Sequence, residues 1–308
     1  MDISIVIVNY NTCKMLDECI TSIKQETRAR FEIIVVDNAS RDDSIDMIKA
    51  KHPDVILIQN QGNNGFAHGN NQGFKEANGR YYFMLNPDTL ILDRAIDKLF
   101  EYMEQSSDAA IASPMNLDEK RGLQYNCDFF PSLWIMFVEY LRLHILFPKV
   151  KLFNRGRIRY WDYADTRHVD SAMGCSLLIR SNVFNELNGL DDKFFMYFEE
   201  TDFCYRAYKK GYKTFFYSES KIIHYGGQSA KTTEKAMMGT MVSSYYLESK
   251  YYFFRKNYGI TKMLCARMLD GVYGIFLWLK NVRRKDSRLK LDRQKKAAMF
   301  VRSAFHFK

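Results

Sequence analysis

Short apolar segments that each end in a polar residue recur along the first part of the chain. Four of them predict strands, at residues 3–8, 31–36, 55–58 and 81–85, and the first is predicted to be buried on both faces, as in a parallel sheet. The segments between them place apolar residues at helical spacing; after the first strand these are Met15, Leu16, Cys19, Ile20 and Ile23. Strands that alternate with helices in this way are typical of a doubly wound α/β sheet.

The polar residues that follow these strands are Asn9, Asp37, Asn60 and Asp88. In open α/β sheets, ligands bind at the carboxyl ends of the strands, near the point where the strand order reverses. The pattern therefore predicts a ligand site at this edge of the sheet before any motif is considered.

The regular alternation stops after Pro114. Leu133 to Phe147 is strongly apolar but contains Glu139, Arg142 and His144, which favours a helix against a core or a membrane face over a spanning helix. Strands resume at 174–179 and 213–217, and the chain is predicted to be helical from about residue 243. We predict a catalytic domain at 1–230, with halves at 1–114 and 115–230, and a helical, basic region at 231–308.

The charge distribution and the cysteines indicate which partners the chain could bind and whether its thiols are reduced. The formal net charge is +9, and the region from Lys280 to Lys308 is dense in Lys and Arg. Such a tail favours a polyanionic partner, either anionic lipid or nucleic acid, and a solvated helix face is the alternative. The six cysteines show no C-x-x-C spacing, which predicts reduced thiols and no zinc site. Neither a secretory signal nor a transmembrane segment is expected.

Asp88 follows a predicted strand within Asn86-Pro87-Asp88. A carboxylate at the sheet edge is well placed to bind a hard cation, although the sequence Asn-Pro-Asp is also typical of a turn.

His224 follows another predicted strand and precedes Gly226 and Gly227, where the backbone can approach a phosphate closely. A histidine of the core or surface is the alternative for His224.

Glu199, Glu200 and Asp202 form an acidic cluster where a helix is predicted to begin. Acids in the first turn suit the helix dipole, and an i, i+4 pair with Arg206 accounts for Asp202. The adjacent glutamates are less easily explained in this way, and a carboxylate whose pKa is raised by like charges would suit a general base. Asp37 could accept from a base or ribose edge, or could cap a helix with Ser40 and Asp42.

Together these segments resemble glycosyltransferase family 2, of GT-A fold, and especially its bacterial rhamnosyltransferase-like branch. Six motifs between residues 3 and 229 carry the resemblance, in the order of the family. They are SIVIVNYN (4–11), VVDNAS (35–40), NNGFAHGNN (63–71), LNPD (85–88), FMYFEETDFC (195–204) and HYGGQS (224–229). The implied fold is a GT-A-type, Rossmann-like mixed sheet flanked by helices, with a helical C-terminal extension.

The resemblance also implies roles for single residues. Asp88 and His224 would bind Mn²⁺ or Mg²⁺, and Glu200 would take the proton from the acceptor hydroxyl. The residues implied to bind substrate are Asn9, Tyr10, Asn11, Asp37, Asn63, Asn64, Gly174 and Glu199. Two departures from the family pattern matter. Glu199-Glu200 stands where the family commonly has Glu-Asp, which leaves Asp202 as the second candidate base. Asn86 stands at the first Asp of the D-x-D motif.

The implied activity is inverting transfer of a sugar from a dTDP or UDP donor, with dTDP-rhamnose suggested by the branch, to a glycan or lipid-linked acceptor of a cell-surface polysaccharide. We expect a cytoplasmic protein at the inner face of the membrane, in peripheral contact through its C-terminal region. A helical dimer interface or packing against the catalytic domain is the alternative for that region, and nucleic acid is the less favoured partner of the basic tail. The competing functions are a non-catalytic partner of a synthase complex and a nucleotidyltransferase. The first turn, Asn9 to Thr12, lacks the glycines that a triphosphate loop would need.

Overall fold

The computed structural model describes residues 1–153, 158, 160–226, 235–282 and 287–305. Contacts divide the chain into two units. The sheet unit comprises 1–130, 157–195 and 199–232, and the helical unit comprises 131–156, 196–198 and 233–308. Most of the sheet unit lies within the predicted catalytic region 1–230, and residues 131–156 and 196–198 group with the helices.

The first part of the sheet unit alternates strands and helices, as predicted. Its strands are β1 (Ile3–Asn9), β2 (Phe31–Asp37), β3 (Ile56–Gln59), β4 (Tyr81–Leu85), β5 (Thr89–Ile91) and β6 (Ala109–Leu117). Its helices are α1 (Cys13–Glu26), α2 (Ser44–Lys51), α3 (Phe66–Lys75) and α4 (Ala95–Gln105).

The second part of the sheet unit has shorter elements. The strands are β7 (Leu123–Gln124), β8 (Cys127–Asp128), β9 (Arg167–Val169), β10 (Ser171–Ala172), β11 (Ser176–Arg180) and β12 (Lys213–His224). The helices are α7 (Ser181–Glu186) and α8 (Glu199–Lys209); α5 (Leu133–Tyr140) and α6 (Leu143–Leu146), which precede them, belong to the helical unit.

Within the described residues, ten strands form one mixed sheet. Its main order is β3-β2-β1-β4-β11-β6-β12-β5, with β7 beside β6 and β9 beside β12. Strands β3, β2, β1 and β4 run parallel, whereas β11 is antiparallel to both β4 and β6. Alternate residues of β1 face opposite layers: Ile5 packs in the core with α1, α2 and α4, and Val6 packs with α3, α7 and α8. The predicted mixed α/β sheet flanked by helices is confirmed.

Three features differ from the sequence-based expectation. The strands β5 and β6 were not predicted, because β5 is very short and β6 contains Pro114 and small residues in place of a β-branched run. Strand β12 continues past Tyr217 to His224, with a register shift between Tyr217 and Lys221. The apolar segment 133–147 is not one helix, because α5 ends at Tyr140 and Arg142 has a left-handed φ of 55°.

The helical unit also contains α9 (Lys235–Tyr258), α10 (Ile260–Val282) and α11 (Ser287–Phe305). A polar group lies in its interior: Lys250 Nζ is 2.6 Å from Asp270 Oδ2, and the Tyr140 hydroxyl donates to Asp270 Oδ1. Burial lowers the pKa of Lys250, and the Asp270 carboxylate opposes that shift. The predicted helical C-terminal part is confirmed. In the described part of the chain, no helix combines the length and apolar character needed to cross a bilayer.

Gly73 sets the distance between α3 and the sheet. A Cβ at this position would lie 2.5 Å from Val6 Cγ1 and 3.2 Å from Val36 Cγ2, so α3 rests directly on β1 and β2. We expect Gly73→Ala to destabilise the protein by about 1–3 kcal/mol through overpacking, despite the better helix propensity of alanine. Chemical denaturation measures this change. Gly62→Ala is the control, because no atom lies within 4 Å of its Cβ, and equal stability of the two variants would refute the close approach.

Candidate active site

Strands β1 and β2 end side by side, with Asn9 opposite Asp37. The Asn9 side-chain amide donates to Asp37 Oδ2 at 2.7 Å, and the backbone N–H of Ser40 donates to Asp37 Oδ1 at 2.8 Å. Both Asn9 and Asp37 are fully buried. Asp37 therefore organises the loop after β2, and its predicted contact with a nucleotide stays a prediction.

The loop after β1 is fixed by the same neighbours. Asn11 has a φ of 56°, its backbone N–H donates to Ser40 Oγ at 2.9 Å, and its side-chain oxygen accepts from the N–H of Arg41 at 2.7 Å. Tyr10 lies half-buried beside it. The two strand ends thus form one rigid corner at the carboxyl edge of the sheet.

A network of side-chain amides continues this edge beyond β3. Asn38 donates to Asn63 Oδ1 at 3.3 Å and accepts from Asn60 at 2.9 Å. Asn63 also accepts from the N–H of Gly65 at 3.0 Å, which shapes the turn into α3, and Asn64 is exposed. Asn63 and Asn64 are two of the residues that the resemblance implies to bind substrate, whereas Asn38, whose partners come from other loops, was not predicted to have a role.

The pairing of β12 with β5 brings Asp88 and His224 together. His224 lies opposite Thr89 in this antiparallel ladder, and its Nε2 is 3.5 Å from Asp88 Oδ1. Both side chains are about 95% buried or more. The two residues predicted to bind a metal are therefore neighbours, although 136 positions separate them in the chain.

Gln124 determines which nitrogen of His224 faces Asp88. Its Oε1 lies 2.7 Å from His224 Nδ1, and its Nε2 donates to the backbone oxygen of His224 at 3.4 Å. An amide oxygen can only accept, so Nδ1 must carry the proton and donate it. Sequence reasoning missed Gln124, because it lies on the short β7 and no local pattern links it to residue 224.

The electrostatics of this pair favour a positive charge between its members. Burial lowers the pKa of His224, but the Cys175 sulfur and the Asp88 carboxylate outweigh it and raise the pKa to about 10. With Nδ1 occupied as a donor, Nε2 presents a proton or a lone pair toward Asp88 Oδ1.

The arrangement fits a cation. A cation bound here would take the place of the Nε2 proton, because only a deprotonated Nε2 can be a ligand. Nε2 in that state and the Asp88 carboxylate are suitable ligands for Mn²⁺ or Mg²⁺, and the hydrogen bond from Nδ1 to a side-chain oxygen is the usual support of a ligating histidine. Among the described residues, no group of three or more His, Cys, Asp or Glu could hold a metal. A cation bound here would draw its remaining ligands from a bound molecule or from water.

Glu200 lies at the start of α8, next to Gly174. A Cβ on Gly174 would be 3.2 Å from Glu200 Cβ, so glycine leaves room beside this side chain. Burial raises the pKa of Glu200 to about 7, and the nearby Asp128 carboxylate acts in the same direction. In the described structure, Oε2 of Glu199 and Oε2 of Glu200 are buried without a hydrogen-bond partner, and burial beside Glu200 raises the pKa of Glu199 well above its usual value.

Asp202 has a different environment on the same helix. It is fully buried, and its Oδ2 accepts from Arg206 Nε at 2.7 Å. The guanidinium also donates to the backbone oxygens of Leu187 and Gly189, at 2.6 and 2.7 Å. This i, i+4 pair therefore ties α8 to the end of α7.

Cys175 connects the two parts of the site. Its backbone oxygen accepts from the N–H of Asn86 at 2.9 Å, and its side chain interacts with His224. It follows Gly174, which lies against Glu200. The Asp88–His224 pair and Glu200 therefore lie along one edge of the sheet. Gly227 and Ser229 of the last predicted motif lie outside the described residues.

Comparison with known proteins places the chain among related sequences. A family model described as glycosyl transferase family 2 matches residues 4–178. A low-salt glycan biosynthesis hexosyltransferase of Haloferax volcanii is 31% identical over 212 residues, which cover 67% of this chain and 61% of that relative. The match thus spans about three fifths of the relative's length.

Two more distant proteins match over most of their length. Rhamnosyltransferase WbbL of Escherichia coli is 25% identical over 264 residues, which cover 82% of this chain and 96% of that protein. The crystal structure of S. aureus TarS 1-349 aligns with a TM-score of 0.54 at 14% identity, over 99% of this chain and 90% of that chain. At that identity the likeness concerns the fold alone.

The different environments of Glu200 and Asp202 predict opposite effects of neutralising them. A carboxyl whose pKa is raised from 4.5 to about 7 by folding binds its proton more tightly in the folded state, so its contribution to stability falls as the pH rises through that range. We expect Glu200→Gln to be more stable than wild type at pH 8, and this advantage to shrink by pH 5. Asp202→Asn should lose about 1–3 kcal/mol, because Arg206 loses its buried partner.

Thermal unfolding of both variants at the two pH values tests this contrast. A Glu200→Gln variant that is less stable than wild type at pH 8 would show that the carboxylate is stabilised by a partner and would contradict the raised pKa.

Proposed function

Because the chain belongs to glycosyl transferase family 2, we propose that it transfers a sugar from a nucleotide-diphosphate donor to a glycan or lipid-linked acceptor, with inversion at the anomeric carbon. The observation that carries this proposal is the position of Glu200 on the same sheet edge as the Asp88–His224 pair, connected through Gly174 and Cys175. A group that accepts a proton and a pair that can hold a cation are the two functions that such a transfer needs.

Asp88 and His224 would hold Mn²⁺ or Mg²⁺ in this reaction. When bound, the cation would neutralise the negative charge that develops on the diphosphate leaving group. The residues of the chain orient this site: Gln124 fixes the His224 ring, and the β5–β12 ladder holds the ring beside Asp88. Burial of both side chains limits the access of water and would strengthen their attraction for a bound cation.

Glu200 would act as the general base. A carboxyl with a pKa of about 7 is partly ionised at neutral pH and matches the operating pH, which favours proton transfer. It would take the proton from the acceptor hydroxyl while the hydroxyl oxygen attacks the anomeric carbon from the face opposite the diphosphate. Asp202 is the weaker candidate, because its carboxylate is bonded to Arg206.

The nucleotide would bind at the ends of β1, β2 and β3. Tyr10, Asn11 and Asn64 present side chains there that are not fully buried, whereas Asn9 and Asp37 would act mainly by fixing the loops that meet the base and ribose. Asn63 would shape the pocket through its bonds to Gly65 and Asn38. Gly174 and Glu199 would border the reacting sugar next to Glu200.

The relatives suggest the class of donor and acceptor. The Escherichia coli relative is named a rhamnosyltransferase and the Haloferax volcanii relative a glycan biosynthesis hexosyltransferase, so a dTDP or UDP donor, with dTDP-rhamnose first, is the proposed choice. A lipid-linked acceptor would place the protein at the inner face of the cell membrane, in peripheral contact through its C-terminal region.

A transfer assay that follows release of the nucleotide diphosphate tests the proposal. We expect Glu200→Gln to lower kcat by at least about 10²-fold, the usual contribution of a general base. Asp202→Asn is the matched variant, and its activity per folded molecule should stay near that of wild type because Asp202 acts within the scaffold. Turnover that survives Glu200→Gln would remove Glu200 from the base role, and loss of turnover only in Asp202→Asn would transfer that role to Asp202.

A further inference from the structure

The two units of the chain carry opposite charge. The helical unit contains 21 Lys and Arg against 6 Asp and Glu, a formal charge of +15. The sheet unit contains 24 Lys and Arg against 30 Asp and Glu, a formal charge of −6. The net charge of +9 therefore comes entirely from the helical unit.

Helix α10 exposes an apolar face along its whole length. The exposed large apolar residues are Ile260, Leu264, Met268, Val272, Ile275, Phe276, Trp278, Leu279 and Val282. Met268 is 64% and Val272 61% exposed. Within this fully described helix, the exposed charged residues are Lys262 and Lys280, near its two ends. The face between them is uncharged and has a lysine at each boundary.

The segment from α5 to Phe153 exposes a second set of apolar side chains. These are Trp134, Phe137, Leu141, Ile145, Leu146, Phe147, Val150 and Leu152. Leu146 and Ile145 are the most exposed of them, at 66% and 60%. In sequence, this segment carries Arg142, Lys149 and Lys151 against a single acid, Glu139.

The internal packing of the helical unit leaves these side chains uncovered. The Tyr140 ring stacks on Tyr273 at 4.1 Å between centroids, and its hydroxyl donates to Asp270, so α5 contacts α10 through the face that contains Asp270. The buried residues of α10, among them Met263, Ala266 and Gly274, lie on that same side. The exposed residues Leu264, Met268, Val272, Ile275 and Leu279 lie on the other side of the helix, and Trp278 lies at the border between the two sides.

We propose that the apolar face of α10 and the 134–152 segment insert into the interface of an anionic lipid bilayer, and that the exposed basic side chains of the same two segments bind the lipid headgroups: Arg142, Lys149, Lys151, Lys262 and Lys280. Apolar side chains beside a basic surface are the pattern of helices that lie in the plane of a membrane. This inference rests on the proposed function for one point, that a lipid-linked acceptor would bring the protein to a membrane. It assigns the expected membrane contact to a defined surface of the helical unit.

A second copy of the chain is a poorer occupant of this surface. A twofold interface brings the same patch of both copies together. Two helical units of charge +15 would then face each other, and their repulsion opposes association, whereas anionic headgroups complement that charge.

The three tryptophans of the chain provide a direct probe. Trp134 and Trp278 are 39% and 47% exposed on the proposed surface, and Trp161 is buried in the sheet unit. We expect full-length protein to sediment with phosphatidylcholine vesicles that contain phosphatidylglycerol. Brominated lipids should then quench its tryptophan fluorescence, and the double variant Trp134→Phe/Trp278→Phe, which keeps Trp161, should bind the vesicles without quenching.

Glutamates placed on the apolar surface test whether these residues insert into the bilayer. Met268→Glu/Val272→Glu and Ile145→Glu/Leu146→Glu should each weaken vesicle binding at least tenfold. Ile56→Glu is the matched control, because Ile56 is an exposed apolar residue of the sheet unit at 40% exposure, and it should bind vesicles like wild type. All variants should keep the wild-type unfolding temperature, since the changed side chains are exposed.

Several results would overturn the proposal. Wild type that ignores anionic vesicles at low salt would refute it, and so would equal binding by the glutamate variants and Ile56→Glu. A wild-type dimer in solution that these variants convert to a monomer would assign the surface to a second copy, and tight binding to DNA without vesicle binding would assign it to nucleic acid. Transfer to a soluble acceptor, measured on the same proteins, reports separately on the proposed function and should not change in the glutamate variants.

Discussion

His224 lies beside Asp88 because β12 runs past its bulge after Tyr217 and pairs antiparallel with β5. This ladder joins a strand late in the chain to a three-residue strand directly after Asp88, and it buries both side chains in the process. Gln124 on β7 then orients the imidazole. The carboxylate and the histidine would otherwise belong to separate loops, so the candidate cation site depends on this one strand pairing.

The buried carboxylates of α8 show how one helix can combine structural and chemical roles. Asp202 forms an ion pair with Arg206, which also donates to two backbone oxygens after α7, so this pair holds α8 against the end of α7. Glu199 and Glu200 have buried oxygens without such a partner in the described structure, and burial raises the pKa of both carboxyls. A buried carboxyl oxygen without a hydrogen-bond partner destabilises a fold, and this cost is typical of positions where the group is needed for chemistry.

Much of the architecture could be predicted from the sequence, and the mixed α/β fold, its helical C-terminal part and membership of glycosyltransferase family 2 are confirmed. The strands β1 to β4 were predictable because their apolar runs are continuous and end in polar residues. The strands β5 and β6 and the extension of β12 were not, since short or polar strands lack a period and are held by their neighbours. The sequence could likewise suggest Asp88, His224 and Glu200 as site residues. It could not suggest Gln124, nor the hydrogen bonds that give Glu200 and Asp202 different environments, because these arise only from tertiary contacts.

The proposed transfer requires that Asp88 and His224 bind a nucleotide diphosphate through a divalent cation. Thermal unfolding of wild type and of Asp88→Asn against UDP, dTDP, GDP and CMP, each with Mn²⁺ or with EDTA, tests it most directly. At about 100 times its dissociation constant, a ligand should stabilise wild type by about 2.7 kcal/mol. We expect such a shift for UDP or dTDP with Mn²⁺, and we expect it to be lost both with EDTA and in Asp88→Asn. An equal shift in EDTA or in Asp88→Asn would contradict it, as would the absence of any nucleotide effect on wild type.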